Sequence, residues 1–459
     1  MPLAIENKLR QAGVADKFEY NRKYIFFISF VASLGGLLFG YDLANVSGAI
    51  DFFSKHFELD QLSVGWAVGC ISVGAAAGAL IAGKLSDRIG RKKLLIISAV
   101  LFAITGVGTG WAGSFSVFII FRICSGIAVG LATVVCPIYI AEMSPAIFRG
   151  RLVAYYQLAI TLGILLAYIS NYLLLHSGIN NWRWMFSSQS IPAILFFAGL
   201  LFVLESPRWL IMKGRDSEAR KVMERIGGSR FSSHEFSAIQ LASSHPLKES
   251  IGNLFKKNVF HIVILGIGIA MFSQLGGPLI AYAPEIFKAA GMAQSSAFFQ
   301  SIAIGIVLFL FTIVAIATVD KVGRRTLLLW GISLLMFFTL ALSLAFHFHI
   351  SGFWILIFSL GDLAVYAATV GAVSWVVLSE IFPNNIRGTA MSLATLSLWV
   401  ANFFITASFP VLRENFGIAM CFGIYVPLFM LFFLFVYFRI PETKGKSLEE
   451  IERLLVRPT

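Results

Sequence analysis

Charge is what this chain has least of. Its 459 residues include only 24 Asp or Glu and 36 Lys or Arg, so 13% of the side chains are charged against 58% hydrophobic. The mean hydropathy is +0.82. No soluble core needs that much apolar surface, which excludes a soluble enzyme or binding domain and predicts a polytopic membrane protein. Cysteine is scarce too. Cys70, Cys124, Cys136 and Cys421 all fall in apolar runs, where they read as small packing residues and not as a disulfide or metal framework. His56, His176, His347 and His349 flank apolar runs, and His234, His245 and His261 lie in or near the one long polar stretch, so neither a histidine relay nor a metal set is expected. No G-x-x-x-x-G-K-[ST] loop is present, which argues against nucleotide-driven chemistry, and no nucleophile–base constellation suggests an enzyme. The first 23 residues are too long, too polar and too mixed in charge for a cleavable signal.

What the chain has instead is long apolar runs. Six spans are expected in a first half, at 24–48, 62–83, 94–112, 116–140, 152–176 and 186–204. Six more follow at 259–284, 296–319, 326–347, 353–378, 389–412 and 417–438. A net charge of +12 would suggest nucleic acid in a soluble protein, but here its distribution decides. With both termini in the cytoplasm, all Lys and Arg fall on the cytoplasmic side except Lys55, Arg183, Lys288 and Arg413, which are external, and Arg122, which lies inside a span. That asymmetry is the positive-inside pattern and sets the orientation.

Short motifs recur in pairs at nearly constant offset. Asp87 answers to Asp320, each beside a Gly and a basic cluster in a tight turn. Glu142 and Arg149 answer to Glu380 and Arg387, and Glu205 to Glu442. The pairs follow spans 2 and 8, 4 and 10, and 6 and 12, so the protein reads as a duplicated six-span unit whose halves are related by an axis along the membrane normal. The expected organisation is a bundle over 1–204, a cytoplasmic helical linker over 205–258, a second bundle over 259–438 and a cytoplasmic helix over 439–459. In the linker, Ser217 to Ile226 has helical charge spacing with a Ser cap, and Gly227-Gly228 ends it.

At these residues the chain resembles the sugar porter family of the major facilitator superfamily, and most of all its bacterial proton–sugar symporters. The resemblance rests on GGLLFGYD (Gly35–Asp42), DRIGRKK (Asp87–Lys93), YIAEMSP with RGRL (Tyr139–Leu152) and YYQLAITLGILLAYISNY (Tyr155–Tyr172). It continues through ESPRWL (Glu205–Leu210), DKVGRR (Asp320–Arg325), WVVLSEIFPNNIRG (Trp375–Gly388) and PETKGKSLEEIE (Pro441–Glu452). It implies an all-α fold of twelve transmembrane helices in two six-helix bundles that rock about a central site. It also implies a cytoplasmic latch, closed in the outward-facing state, built from Asp87, Arg91, Glu142, Arg149 and Glu205 with Asp320, Arg324, Glu380, Arg387 and Glu442. Opposite charges gathered at helix ends can be made in one state and broken in another. A static role as topology anchors is the alternative.

Charges inside spans are costly and therefore informative. Asp42 lies well inside span 1 and Arg122 several residues into span 4. If those helices pack together, contact with Arg122 favours the carboxylate and burial without it favours the acid, which makes a workable proton switch. Proton-coupled members of the family have an Asp and an Arg at matching positions, whereas glucose facilitators lack the Asp. The other reading is a structural ion pair in a uniporter. Gln157, Gln274, Tyr282, Trp375, Trp399 and Asn402 match family positions for sugar contact. Indole faces suit the apolar face of a pyranose and amides its hydroxyls, although such residues in spans commonly serve packing.

Span 7 departs from the family pattern Phe-Gln-Gln-Leu-Ser-Gly-Ile-Asn. Here it reads Phe272-Ser273-Gln274-Leu275-Gly276-Gly277-Pro278-Leu279, with one amide replaced by Ser273, no counterpart to the Asn, and Ala281 where a gate Tyr is usual. Gly276-Gly277-Pro278 should break the helix beside a cavity, and the loss of amides favours a substrate other than ordinary glucose or xylose, a polyol included. Asp362 in span 10 has no family counterpart; it is interfacial, bonded to the broken span 7, or a second protonatable group. Ala372 replaces the Pro usual after Gly371, so span 10 should be less broken.

The sequence thus predicts a secondary transporter that moves a monosaccharide or polyol with protons, monomeric, in a bacterial inner membrane, with lipid and substrate but no nucleic acid as partners. Neither cofactor nor metal is expected, the proton gradient being the energy source. A facilitative uniporter and a non-transporting nutrient receptor are the alternatives, the latter disfavoured by the short tail after span 12.

Overall fold

The computed structural model describes residues 18–243, 257–382 and 387–444. Eleven helices are long and apolar enough to cross a membrane. The last, Arg387–Arg439, holds two spans, because its backbone leaves helical geometry at Gly417 (φ 78°, ψ 161°). The chain therefore makes twelve crossings. Spans 1 to 5 are Arg22–His56, Gln61–Ile89, Arg91–Gly110, Phe115–Met143 and Ala146–Leu174. Several starts are capped from the sequence: Asn21 accepts from the Tyr24 N–H (3.1 Å), Asp60 from Ser63 (2.9 Å) and Ser114 from Val117 (3.4 Å). Span 6 begins at Asn181, earlier than expected, and is jointed at Gln189 between Asn181–Ser188 and Ser190–Phe202. Arg183 consequently sits on a helix and donates to the carbonyls of Gly110 (2.9 Å) and Ala112 (3.3 Å), completing the end of span 3.

Span 7 is broken where its glycines and proline predict. Lys257–Phe272 gives way to a 3₁₀ turn, Ser273–Gly276, and then to the short helices Gly277–Ala281 and Ala283–Ala289. Spans 8 and 9 are Gln294–Val322 and Arg324–His347. Span 10, expected to be less broken without its proline, is nonetheless divided. It divides into Gly352–Ala368 and Val370–Ile381 at Thr369 (φ −130°, ψ −90°), whose hydroxyl donates to the Val365 carbonyl (2.6 Å). The break falls without a proline, at a residue whose hydroxyl and N–H (3.0 Å) both donate to the Val365 carbonyl, a back-bonding pattern that goes with bent helices.

The halves meet through spans 2 and 11 and through spans 5 and 8. These two contacts exchange under the six-span repeat, as a duplicated architecture requires. In the linker, Pro207–Met212 is followed by a helix from Asp216, which places Ser217 inside the first turn and not at the cap. That helix ends at Gly227-Gly228, where the backbone leaves helical geometry (Gly228 φ 76°, ψ 177°), and a second helix runs on to Ser243. The two pack on the N-terminal segment through Arg225 over the Tyr24 ring (4.5 Å) and Phe231 against Phe18 and Tyr20. The remaining linker residues, 244–256, and the expected tail helix beyond Lys444 lie outside the described residues.

The repeat extends to individual hydrogen bonds at the basic turns. In the first half, Arg91 grips Glu142 with two guanidinium nitrogens (3.0 and 3.1 Å) and Asp87 with the third (2.9 Å). Glu205 meanwhile accepts the backbone N–H groups of Arg91 (3.0 Å) and Lys92 (3.1 Å) at the start of span 3. In the second half, Arg324 grips Glu380 (3.1 and 3.2 Å) and Glu442 accepts the N–H groups of Arg324 (2.9 Å) and Arg325 (3.1 Å) at the start of span 9. Ser206 and Thr443 complete the match, each donating its hydroxyl to the Glu held by the Arg. Each carboxylate thus fills the unsatisfied donors of a helix N-terminus, where the helix dipole also favours negative charge. Burial alone would raise the Glu442 carboxyl, but backbone donors of Lys444, Arg324, Thr326 and Thr443 hold it below the ordinary glutamate value. Its stabilising contribution therefore persists at neutral pH and is lost only as pH falls through that lowered value. Arg149 donates to the carbonyls of Ala141 (3.0 Å) and Ser144 (3.5 Å). The side chains of Asp320 and Arg387 lie outside the described ones.

Gly90 makes the first turn possible. Its φ is +105°, and a Cβ there would stand 2.3 Å from a Glu205 carboxylate oxygen, so both backbone and space demand glycine. Gly90→Ala is expected to cost about 1–3 kcal/mol of stability, and Glu205→Gln a similar amount through lost charge-assisted hydrogen bonds. Gly83→Ala, at a helical site with nothing within 4 Å, should cost nothing. Thermal unfolding of the purified variants checks this, and equal midpoints for G90A and G83A would dissociate Glu205 from the turn.

Candidate functional site

The first site is a charged one inside the first bundle. Asp42 and Arg122 form an ion pair with both side chains 1% exposed. The carboxylate also accepts from the Ser125 hydroxyl and from the Gln189 amide (3.2 Å), and that amide reaches Ser125 as well (3.4 Å). Arg122 lies over the Phe186 ring at 5.7 Å. Its Nε and Nη2 have no hydrogen-bond partner among the described residues. The pair is therefore fully satisfied on the acid side and only partly on the base side. Spans 1, 4 and 6 each supply part of it, and the joint in span 6 falls at Gln189.

Ser125 and Gln189 escape a reading of the sequence. Ser125 is one helical turn beyond Arg122 and so shares its face, and Gln189 is a lone amide at the head of an apolar run, but neutral polar residues are too common in spans to be singled out. Around this centre, Asn45 donates to the Met185 carbonyl (2.8 Å), Asn171 to that of Asn45 (3.0 Å), and Tyr41 meets Ser188 (2.7 Å). Span 1 is thereby tied to spans 5 and 6 along a full helical turn.

The second site lies between the halves. Asn402 of span 11 is its hub. Its amide donates to Gln274 of the broken span 7 (3.1 Å), and its carbonyl oxygen accepts from Ser72 of span 2 (2.8 Å). Gln274 in turn donates to Ser273 (3.0 Å), which bonds the Ala270 carbonyl (2.8 Å). A chain of neutral hydrogen bonds thus crosses from one bundle to the other. Trp399 is 3% exposed, its ring meets Phe39 of span 1 edge-on at 5.5 Å, and its indole N–H has no partner among the described residues. Trp375 is half-buried, as is Gln157, and no hydrogen bond of the Gln157 amide is described. Tyr282 differs from the other expected substrate residues. It is fully buried, donates to the Thr406 carbonyl (2.8 Å) and stacks on Phe409 at 4.8 Å, so in this conformation it offers no free group.

Polar contacts between the halves gather away from the basic turns. Besides Ser72–Asn402 they are Tyr168 of span 5 donating to the Ile280 carbonyl (2.7 Å) and an ion pair between Lys288, just past span 7, and Asp51 near the far end of span 1. A second pair, Arg413 with Glu285, braces spans 7 and 11 at the same end. By contrast, the ion pairs described around Arg91 and Arg324 each stay within one half. Of the expected latch residues, Asp87, Arg91, Glu142 and Glu205 thus form one clamp and Arg324, Glu380 and Glu442 another. Asp362 is not interfacial: it is 1% exposed, accepts from Thr339 of span 9 (3.0 Å), and shares a small cavity with Leu275, Pro278 and Leu279 of span 7.

A profile described as Sugar (and other) transporter matches residues 28–455. The arabinose-proton symporter of Bacillus subtilis (strain 168) is 38% identical, over 95% of this chain and 96% of its own. The D-xylose-proton symporter of Escherichia coli (strain K12) is also 38% identical, with the same coverage of both chains. Among solved structures, the inward open conformation of the xylose transporter XylE from E. coli superposes with a TM-score of 0.85 at 36% identity, covering 94% of this chain and 100% of that one. With a match that runs nearly end to end through both halves, the chain belongs to the sugar (and other) transporter family.

Proposed function

We propose that this protein is a secondary active transporter that carries a monosaccharide or polyol together with a proton across a bacterial inner membrane by alternating access. The observation that carries the reading is the buried Asp42–Arg122 pair. A buried carboxylate changes its proton affinity when a neighbouring cation is withdrawn. The relatives named as arabinose-proton and D-xylose-proton symporters support both the coupling and the substrate class. The basic turns belong in the cytoplasm, with both termini on that side, and the contacts gathered at the opposite end then describe a conformation closed outside and open inside.

In the mechanism, the central cavity opens outward once Asp51–Lys288 and Tyr168–Ile280 part. Asp42 takes a proton and loosens from Arg122. Substrate hydroxyls engage Gln157, Gln274 and Asn402, with Trp375 and Trp399 beside the ring. Tyr282 acts at the gate and joins the pocket only when span 7 moves. The bundles then rock as units, each held together at its cytoplasmic ends by the Arg91 or Arg324 clamp, with Asp87, Arg149, Asp320 and Arg387 as further members of the latch. Each monomer works alone, in lipid, with the proton gradient as its only energy source and neither cofactor nor metal.

Transport and stability measurements on the wild type and four variants check this reading, the transport ones in proteoliposomes. Under an inward proton gradient the wild type should concentrate labelled D-xylose, arabinose, glucose or inositol, and a protonophore should abolish the accumulation. Asp42→Asn should lose the share of the accumulation that the Asp42 proton drives while keeping exchange at equilibrium, and undiminished gradient-driven accumulation by D42N would overturn the coupling role. Gln157→Ala should raise KM about tenfold or more, the scale of one or two lost hydrogen bonds, without lowering Tm. Asn402→Ala should do both, since its amide also joins the halves. Finally, Lys288→Ala removes a part-exposed ion pair worth about 0.2–1 kcal/mol. It should shift the population outward by up to about fivefold, read as faster labelling of a cysteine placed at Leu279 by an impermeant maleimide added outside. Unchanged labelling would mean that the pair does not hold the outer end closed.

A further inference from the structure

Asp362 is the one fully buried carboxylate of the second bundle with no cation beside it among the described residues. Span 9 carries Arg324, Arg325 and His347 at its two ends, and span 8 carries Lys321 at its cytoplasmic end. The segment after span 7 carries Glu285 and Lys288, and spans 11 and 12 carry Arg413 and Arg439. Arg324 is committed to Glu380, Arg413 to Glu285 and Lys288 to Asp51, and no ion pair to Asp362 is described. Its described partner is the Thr339 hydroxyl at 3.0 Å. The contrast with Asp42, which receives a guanidinium, a hydroxyl and an amide, is one of chemistry and not of depth.

The cavity beside Asp362 has about 10 Å³, the scale of one water. It is walled on one side by Leu275, Pro278 and Leu279 of span 7 and on another by Tyr425 of span 12. Tyr425 is 5% exposed and its hydroxyl has no partner among the described residues. An unbonded buried phenol and a singly bonded buried carboxyl thus line the same water-sized space. Ionised, the carboxyl would be an unpaired charge in a dry site, which is costly. Protonated, it becomes a donor, and the phenol or a single water becomes its acceptor, so the space and the orphaned hydroxyl are both accounted for.

We propose that Asp362, Thr339 and Tyr425 form a second proton-carrying site, in the C-terminal half, opened and closed by the irregular segment of span 7. The same segment takes part in the contact between the halves, where Ile280 accepts from Tyr168. Movement of span 7 that opens the outer end necessarily shifts Leu275, Pro278 and Leu279, which wall the cavity. The carboxylate then takes one proton from outer water and releases the same proton to inner water later in the cycle, with no other bond made or broken.

The proposal rests on the symport reading for its role in transport, and two measurements keep the two separable. In proteoliposomes with the membrane voltage clamped at zero and an imposed difference of one pH unit, each coupled proton contributes about a tenfold accumulation ratio. Using whichever sugar the wild type transports, the wild type should reach about a hundredfold and Asp362→Asn about tenfold. Thr339→Val and Tyr425→Phe, which keep the acid, should stay near the wild-type ratio while shifting the pH at which uptake is half-maximal. A wild-type ratio of about tenfold, unchanged in D362N, would overturn the second site while leaving symport intact.

The second measurement is infrared difference spectroscopy of the purified protein during a pH titration, which needs no transport. A carboxylic C=O band that shifts in D₂O, vanishes in D362N and moves in Y425F is expected. Its absence overturns the proton site whatever the vesicles do. Should the wild type accumulate no sugar, the symport reading fails and the band alone decides whether Asp362 binds a proton. Should D362N fail to fold, Y425F supplies the spectroscopic answer.

Discussion

An ionised group cannot be left alone in the interior of a membrane bundle. Nearly every polar feature of this protein follows from how that constraint is met. Asp42 and Arg122 meet it by pairing, with Ser125 and Gln189 completing the acceptor side. The arrangement leaves two guanidinium nitrogens of Arg122 without partners, so the cation depends on the carboxylate more than the carboxylate depends on the cation. Protonating Asp42 would strand a buried guanidinium, and breaking a buried pair from one side costs about 3–5 kcal/mol. That cost is relieved only if Arg122 finds water or another acceptor, which requires spans 1, 4 and 6 to shift. Under the proposed mechanism, proton uptake and helix movement are linked by the electrostatics of a single residue.

The basic turns solve a different problem, that of keeping six helices together while two groups of six move. Each clamp joins the starts of spans 3 or 9, the ends of spans 4 or 10 and the segment after spans 6 or 12, through an Arg, two Glu residues and a glycine of positive φ. Several of the donors concerned are main-chain N–H groups at helix starts, so the carboxylates stabilise the ends of spans as well as their neighbours. Rigidity inside each half leaves the interface between halves as the place where conformational free energy is exchanged. There the contacts are few and mostly neutral hydrogen bonds, individually weak and easily remade.

Much of this was legible in the sequence because the relevant residues were conspicuous. Asp42 and Arg122 stand out as charges in apolar runs, the duplication is written in three recurring motifs, and the break in span 7 follows from Gly276-Gly277-Pro278. The rest was hidden for identifiable reasons. Ser125, Gln189 and Ser72 are neutral and acquire meaning only from neighbours on other helices. The pairing of Lys288 with Asp51 joins residues 237 positions apart, beyond the reach of any local pattern. Span 10 divides at Thr369, where a reading that looks for proline sees nothing. The basic clusters announced opposite charges at helix ends, but not that the described pairs would form within each half.

The remaining question is how a neutral substrate can bias a movement driven by a proton. Asn402 suggests the answer. It holds Gln274 and Ser72 at once, so the groups a sugar hydroxyl would need are already occupied by one another. Under the proposed mechanism, substrate therefore enters by replacing protein–protein hydrogen bonds, one of which spans the two halves. Its gain in binding is offset by the bond between bundles that it displaces, and that offset is the differential interaction required for a ligand to shift an equilibrium. Proton and sugar then act on separate fastenings, the proton inside the first bundle and the sugar across the interface. Neither alone frees the halves completely. Under the proposed mechanism, this division of labour is what makes the movement of one depend on the presence of the other.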